Sequence, residues 1–347
     1  MIFLGDVACP DDRIDSFQKW SAKEEMFRDQ VVILNLEANI VDNSIERKNL
    51  TLYNVSKIAD IFPYARKIIV SLANNHMYDY PEKILETKAY LESKGIGVFG
   101  LYEDNDVEPY IFEDNGVKYA FFGHCWRLYT HTNRNLVNNV RIVDCGYDEF
   151  IERVKKYKTN NPNIKVFCFM HWNYDLEAFP LPMHRKIARE LIDSGVEGVI
   201  GGHSHRPQGM EYYKGKPIVY CMGNFYLPSG LYFQGKLKYP ECSKITYGVQ
   251  FQENNIKTVW WRTDVSNVQP LELECEETFA KGEHCKKYSP FIDMNEDEYL
   301  LYFKKNRKKK VMVAKFTEPY DKKYLIDEKW AEFRIKILRK IKGIMKK

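Results

Sequence analysis

Short apolar runs that end in polar clusters are the feature that most restricts how this chain can fold. The runs are rich in β-branched residues, a pattern typical of buried strands. They occupy residues 1–4, 31–34, 67–72, 117–122, 164–170, 196–200 and 217–222. Helical apolar periodicity lies between several of them, at residues 84–91 and 183–194. This alternation predicts an α/β (α+β) fold, with a hairpin at the Asn115-Gly116 turn.

Polar residues follow several of the predicted strands at the point where the strand ends. Because the carboxyl ends of strands form the ligand-binding edge of an open α/β sheet, we expect these side chains to lie together. They are Asp6, Asn35, Glu37, Asn74, Asn75, His76, His171, His203, His205 and Asn224. The sequence therefore predicts a polar site at this edge.

The residue types in this set indicate metal binding. His203-Ser204-His205 is the most specific motif, because a tight turn after a strand can aim both imidazoles at one site. A chance surface pair is the alternative for this motif, and a half-buried histidine bonded to a carbonyl is the alternative for His171. Two carboxylates, an amide carbonyl and three imidazoles suit Mn, Fe or Zn, with Mg or Ca favoured where oxygen dominates. The predicted ligands of one or two divalent ions are Asp6, Glu37, Asn75, His171, His203 and His205.

The composition excludes several other classes of protein. With 44% hydrophobic and 29% charged residues, the chain has the composition of a soluble globular protein. No apolar run reaches the ~18 residues that span a bilayer, and the N-terminus lacks a basic leader, so we expect a cytoplasmic protein. The eight cysteines lack CxxC spacing, which predicts core thiols rather than disulfides or zinc ligands.

The order of the strand-end motifs resembles that of a known family. The motifs are Gly5-Asp6, Asn35-Leu36-Glu37, Ala73-Asn74-Asn75-His76, His171-Trp172, Gly202-His203-Ser204-His205 and Gly223-Asn224-Phe225. In this order they resemble the CapA family of capsule or poly-γ-glutamate synthesis proteins, within the calcineurin-like metallophosphoesterase superfamily. The resemblance covers roughly residues 1–260.

The resemblance implies a four-layer α-β-β-α sandwich with metals at the strand ends. In it, Asp6 and His205 would hold the first metal, and Glu37 would take the bridging position. The second metal would be held by Asn75, His171 and His203. The superfamily's usual Asp-x-His opening is absent after Asp6, so a single ion is the alternative to two.

The resemblance also implies roles for residues beside the metals. His76 matches the histidine that protonates the leaving group, and Asn224 and Trp172 would shape the substrate pocket. A place in the core is the alternative for Trp172. His124 also follows a strand, and we interpret it as structural. Asp175 stands where the CapA branch more usually has Glu, which alters the edge of the pocket rather than the ligands.

These expectations combine into two functional hypotheses. The first is a metal-dependent hydrolase, a phosphoesterase acting on a small-molecule or glycan phosphoester in capsule, surface-polysaccharide or poly-γ-glutamate biosynthesis. A carboxamide is the second substrate class, because a Lewis-acid metal also polarises a carbonyl. The alternative hypothesis is a non-catalytic accessory protein of a capsule polymer assembly complex.

The C-terminal part differs from the rest in charge. Residues 300–347 contain 17 Lys and Arg against 5 Asp and Glu, whereas the preceding residues contain 35 against 43. We predict a main domain over 1–260 and an extension over 261–347 that ends in a basic amphipathic helix at 327–347. This helix either packs on the body or contacts the inner membrane face. No nucleic-acid motif accompanies the charge, so we expect no nucleic-acid partner.

Overall fold

The computed structural model describes residues 1–41, 50–103, 106–127, 140–252, 255–264, 266, 269–307, 333 and 337. Its strands are β1 (Ile2–Val7), β2 (Val31–Leu36), β3 (Lys67–Ser71), β4 (Gly97–Phe99), β5 (Tyr102–Glu103), β6 (Asp106–Val107), β7 (Tyr110–Asp114), β8 (Val117–Cys125), β9 (Lys165–His171), β10 (Gly198–Gly202), β11 (Pro207–Tyr213), β12 (Lys216–Met222), β13 (Asn224–Tyr226), β14 (Ile245–Gln252), β15 (Asn255–Thr263) and β16 (Leu271–Thr278). Its helices are α1 (Arg13–Ser21), α2 (Ile84–Ser93), α3 (Tyr147–Asn160), α4 (Pro182–Asp193), α5 (Glu283–Tyr288) and α6 (Glu296–Asn306). Short 3-10 helices cover Glu25–Phe27, Ser56–Asp60, Asn75–Asp79, Pro81–Lys83 and Glu241–Ser243.

Most strands belong to two mixed sheets, which confirms the predicted α/β class. The first sheet has the order β16-β15-β14-β1-β2-β3-β4, and β13 also pairs with β1. The second sheet has the order β11-β12-β10-β9-β8-β7. In the second sheet, β7 and β8 pair antiparallel from Asp114 and Val117 outward, which confirms the hairpin predicted at Asn115-Gly116.

The two sheets pack face to face through a buried apolar layer. Phe3 and Ile69 of the first sheet join Phe167 and Val219 of the second in one hydrophobic cluster. The rings of Phe3 and Phe167 lie 5.2 Å apart. Strands buried on both faces read as continuous apolar runs, which is why these segments are recognisable in the sequence.

Helices cover the outer face of each sheet. Phe17 of α1 and Leu91 of α2 pack into the cluster outside the first sheet. Val154 of α3, Leu191 of α4 and Phe303 of α6 pack into the cluster outside the second sheet. The layers therefore run helix, sheet, sheet, helix.

Parallel pairing brings the ends of the strands to one edge. In the first sheet Asp6 lies opposite Asn35 of β2, and in the second sheet His171 lies opposite Gly202. The chain passes from β12 in the second sheet directly into β13 in the first through Gly223, whose φ is +87°. The polar strand ends of both sheets thus meet at a common seam.

Residues after 260 extend the same body. The predicted boundary at 260/261 falls inside β15, and β16 pairs with β15 in the first sheet. Helix α5 contacts β11, and α6 contacts α4. The predicted basic helix at 327–347 lies outside the described residues, apart from positions 333 and 337. No helix in the described part of the chain is both long and apolar enough to cross a membrane.

The close approach of β1 to the crossover at Gly223 predicts an effect on stability. A Cβ on Gly5 would lie 1.9 Å from the carbonyl oxygen of Gly223, so Gly5→Ala forces β1 away from the crossover. We expect the free energy of unfolding to fall by about 1–3 kcal/mol or more, measured by denaturant titration. Gly146→Ala is the matched control, because nothing lies within 4 Å of a Cβ there. Equal midpoints for the two variants would contradict the close approach.

Candidate metal centre

Two buried carboxylates lie at the centre of the seam. Asp6 is the last residue but one of β1, Glu37 follows β2, and both are fully buried. The Asn35 amide donates to Asp6 Oδ1 at 2.8 Å and to Glu37 Oε2 at 2.7 Å. Asn74 in turn donates to Asn35 Oδ1 at 3.1 Å and to the Leu36 carbonyl at 2.8 Å. These amides fix the carboxylates beside each other.

The surroundings of the two carboxyl groups disfavour their charged forms. Burial raises the pKa of Asp6, and His205 opposes that effect. Burial, with the charges of Asp6 and Asp175 added, raises the pKa of Glu37 well above its ordinary value. Among the described residues, the ion-pair partners of Asp6 and Glu37 are histidines. Because Glu37 Oε1 is buried and accepts no hydrogen bond within the described chain, it is a ready ligand atom.

Three potential ligand atoms, including Glu37 Oε1, surround the Nε2 atom of His171. The His171 Nε2 atom lies 2.9 Å from Asn75 Oδ1, 3.0 Å from His203 Nδ1 and 3.7 Å from Glu37 Oε1. Burial, followed by the charge of His203, lowers the pKa of His171 well below its ordinary value, so the imidazole is neutral. Neutral imidazole is the form that binds a metal. Asn75, His171 and His203 are the three residues predicted to share one ion.

The turn after β10 aims the two histidines of the His203-Ser204-His205 motif. His203 and His205 adopt positive φ angles of 89° and 56°. Such angles are costly away from glycine and persist where the surroundings impose them. A Cβ at Gly202 would lie 2.9 Å from Asp6 Oδ1, so the absence of a side chain lets this turn approach the carboxylate. His203 Nε2 lies 3.4 Å from Asp175 Oδ1, which orients Nδ1 toward the centre.

A second group of donors surrounds Asp6. His205 Nδ1 lies 3.7 Å from Asp6 Oδ2 and 2.8 Å from Asn224 Oδ1. Donor atoms of Glu37, His203 and His205 lie within 4.8 Å of one another, as do those of Asp6, Glu37 and His171. Because the two groups share Glu37, the cluster has donors for one or two ions, and all six predicted ligands are in it.

His76 lies at the rim of this cluster, in the 3-10 helix Asn75–Asp79. Its Nδ1 lies 2.7 Å from Asp79 Oδ2, and its Nε2 faces Glu37 Oε1 at 3.8 Å. Its side chain is 19% exposed, so solvent reaches it. Burial acts to lower the pKa of His76, but Asp79, Asp175 and Asp6 outweigh it and the pKa is raised.

Two predicted residues lie on other sides of their strands. Trp172 is buried in the outer core, where its indole donates to the Tyr220 carbonyl at 2.8 Å and stacks on His184. This placement matches the core alternative for Trp172. The His124 ring faces the Cys145 carbonyl at 2.9 Å, and burial lowers the pKa of His124 to about 4. This agrees with a structural role for His124.

Sequence reasoning missed several residues that support the site. Asn35 and Asn74 lie within the strand-end motifs, but their bridging role depends on the register between strands. Asp79-Tyr80 is a flank of the family resemblance, but the contact of Asp79 with His76 was not predicted. The Tyr239 ring lies 5.4 Å from that of His205, and nothing in the sequence indicated this contact.

Comparison with known proteins identifies the family. The family described as "Bacterial capsule synthesis protein PGA_cap" matches residues 1–229. The chain belongs to this family. The match confirms the resemblance to CapA predicted from the strand-end motifs.

Individual PGA_cap relatives are distant. "Capsule biosynthesis protein CapA" of Bacillus anthracis is 26% identical over 189 residues, which cover 53% of this chain and 46% of the relative. "PGA biosynthesis protein CapA" of Bacillus subtilis is 25% identical over 170 residues, covering 47% of this chain and 43% of the relative. The chain thus spans less than half the length of these curated relatives.

Among solved structures, a hypothetical protein from Thermus thermophilus has a TM-score of 0.42 at 15% identity, covering 80% of this chain and 98% of that one. A putative 5'-nucleotidase from Staphylococcus aureus has a TM-score of 0.40 at 13% identity, covering 87% of this chain and 57% of that one. Overlaps of this size carry no inference about function.

Proposed function

We propose that this chain is a metal-dependent hydrolase, a phosphoesterase with the four-layer sandwich of the metallophosphoesterases. The observation that carries the proposal is the convergence of Glu37 Oε1, Asn75 Oδ1 and His203 Nδ1 on His171 Nε2. Buried polar atoms lower the stability of the fold unless they have partners. A divalent cation would be a common partner for these four atoms.

The donor set fits a divalent ion on chemical grounds. Neutral imidazoles, carboxylates and an amide oxygen are ligands of Mn, Fe or Zn, with Mg or Ca as the harder alternatives. Asn75, His171 and His203 would hold one ion, Asp6 and His205 a second, and Glu37 would be shared. A bound ion would polarise a phosphoryl oxygen and lower the pKa of water toward neutrality.

The chain's own residues supply positioning and proton transfer. Asp79 holds Nδ1 of His76, so that Nε2 faces the cluster, where it can protonate a departing oxygen. The Asn35 amide bridges the two carboxyl groups and holds them beside each other. Asn224 Oδ1 accepts a hydrogen bond from the ring of His205 at 2.8 Å, which orients that ligand.

We place this hydrolase in capsule, surface-polysaccharide or poly-γ-glutamate biosynthesis, with a small-molecule or glycan phosphoester as substrate. Family membership and the names of the Bacillus relatives support this setting. An accessory protein without catalysis is the second candidate, favoured by the Mycobacterium tuberculosis relative named "Probable polyglutamine synthesis accessory protein", which is 24% identical over 223 residues. A cytoplasmic location and membrane contact through 327–347 stay predictions of the sequence.

Metal content and activity together test the proposal. We expect protein purified without a metal-affinity column to bind about one or two equivalents of Mn, Fe or Zn by mass spectrometry. His171→Ala and His205→Ala should each lose metal and hydrolysis of phosphoester substrates. Circular dichroism of both variants controls for folding. No metal after reconstitution of the folded wild type would reject the centre, and metal without turnover would favour the accessory protein.

A further inference from the structure

A second cluster of metal-ligating side chains lies on the C-terminal strand, away from the seam. Cys275 and Glu277 are two positions apart on β16 and therefore share one face of the strand. His284 lies at the start of α5, facing them. Its Nδ1 lies 3.3 Å from Cys275 Sγ and 3.2 Å from Glu277 Oε1. The three donor atoms lie within 4.8 Å of one another, and all three residues are half-buried.

The orientation of His284 is set from its other side. Its Nε2 lies 3.4 Å from Glu274 Oε2, and Arg262 pairs with Oε1 of the same carboxylate at 3.2 Å. Histidines that bind metals commonly donate the second ring N–H to a carboxylate, which fixes the tautomer. In the tautomer with its proton on Nε2, facing Glu274, the lone pair of Nδ1 points at Cys275 and Glu277, which is the form that metal binding requires.

We propose that Cys275 Sγ, Glu277 and His284 Nδ1 form a binding site for one Zn²⁺ ion. Thiolate, imidazole and carboxylate are the ligands that zinc takes in proteins, with a fourth position for water. Zn–N distances of about 2.0–2.1 Å and a Zn–S distance of about 2.3 Å fit donor gaps of this size. Sulfur distinguishes this site from the seam, whose candidate donors are oxygen and nitrogen.

The ion would join an edge strand to a helix. Glu277 already accepts the backbone N–H groups of His284 and Cys285 at 2.9 and 3.1 Å, so α5 is positioned on β16 before any metal binds. Helix α5 also contacts β11 of the second sheet. A zinc ion here would therefore fasten the last strand of the first sheet to a helix that rests on the second. The competing arrangement is an imidazolium held between Glu274 and Glu277, with no metal.

Cobalt titration of the full chain separates these two arrangements. Co²⁺ bound to a thiolate gives a charge-transfer absorption in the near ultraviolet, which the oxygen and nitrogen ligands proposed at the seam would not produce. We expect one equivalent of this band, lost in Cys275→Ser and displaced by Zn²⁺. Cys242→Ser is the matched control, because Cys242 is likewise half-exposed and outside the cluster. It should keep the band, as should His171→Ala.

Two outcomes overturn the zinc site. One is a folded wild type that gives no charge-transfer band at excess Co²⁺. The other is a band that persists in Cys275→Ser. The Ser variant nearly preserves side-chain size, and His284→Gln gives a second test that leaves the thiol in place. Both should unfold at nearly the same temperature as the wild type in chelator, while the wild type should gain more thermal stability than either variant on adding Zn²⁺, because the seam is unchanged in all three.

Discussion

Replacing His76 with alanine is expected to lower kcat for phosphoester hydrolysis by about 10²–10⁴-fold, the usual contribution of a general acid. Metal content should stay that of the wild type, because Nε2 of His76 lies 3.8 Å from Glu37 Oε1, at the rim of the cluster. Steady-state kinetics measures kcat and KM, and mass spectrometry of the same samples measures the bound metal. The variant should change kcat more than KM.

Two variants, Asp79→Asn and His171→Ala, serve as controls for this result. Asp79→Asn keeps the size of the partner but removes its charge, so it should reduce kcat less than loss of the imidazole. His171→Ala should lose metal and activity together. If His76→Ala retains full kcat with metal bound, the proton-donor role is wrong while the metal centre stands.

Replacing Arg185 with alanine is expected to lower the free energy of unfolding by about 3–5 kcal/mol. Arg185 of α4 and Glu211 of β11 are 2% and 1% exposed, and their atoms pair at 2.9 and 2.8 Å. Truncation would leave Glu211 buried, with Arg189 at 3.0 Å as its remaining charged partner among the described residues. Denaturant titration at neutral pH measures the loss.

The loss should also depend on pH with a definite sign. Burial acts to raise the pKa of Glu211, but Arg185 and Arg189 outweigh it and hold the pKa below its ordinary value of 4.5. A depressed carboxylate pKa adds stability above the unfolded-state value, and this stability disappears as the pH falls through the folded value. The difference between wild type and Arg185→Ala should therefore be full at pH 7 and shrink below about 4.5.

An exposed ion pair provides the control for Arg185. Lys214 and Asp193 are close partners whose side chains are 65% and 41% exposed, so Lys214→Ala should barely move the midpoint. Equal losses for the buried and exposed variants would mean that Glu211 finds solvent or another partner when Arg185 is removed.

The sequence predicted the strands of the sheets well where they are buried on both faces. Runs such as 31–34 and 164–170 are continuous apolar segments, and the structure has β2 and β9 there. Strand β16 was not assigned, because as an edge strand it exposes alternate charged residues and even Leu273. Its charges resemble those of a loop until pairing with β15 is known.

The residues of the candidate site were predictable where their position at the end of a strand is enough to place them. Asp6 lies near the end of β1 and His171 ends β9, and a parallel sheet brings such ends together. Their supporting contacts were not predictable, because the Asn35 amide reaches both carboxylates only through the register of β1 against β2. Likewise, Trp172 and His171 are neighbours in sequence, but their side chains point to opposite faces because successive side chains alternate along an extended chain.

The seam between the sheets also orders events during synthesis. The His203 backbone donates to Asp6 Oδ2 across 197 positions of sequence. An N-terminal segment emerging from the ribosome therefore carries Asp6 and Glu37 long before the imidazoles of the second sheet exist. Closing so long a loop costs conformational entropy, and this cost comes before the carboxylates and the imidazoles can come into contact. We therefore expect the proposed metal ion to bind late in folding, after the two halves of the chain have docked.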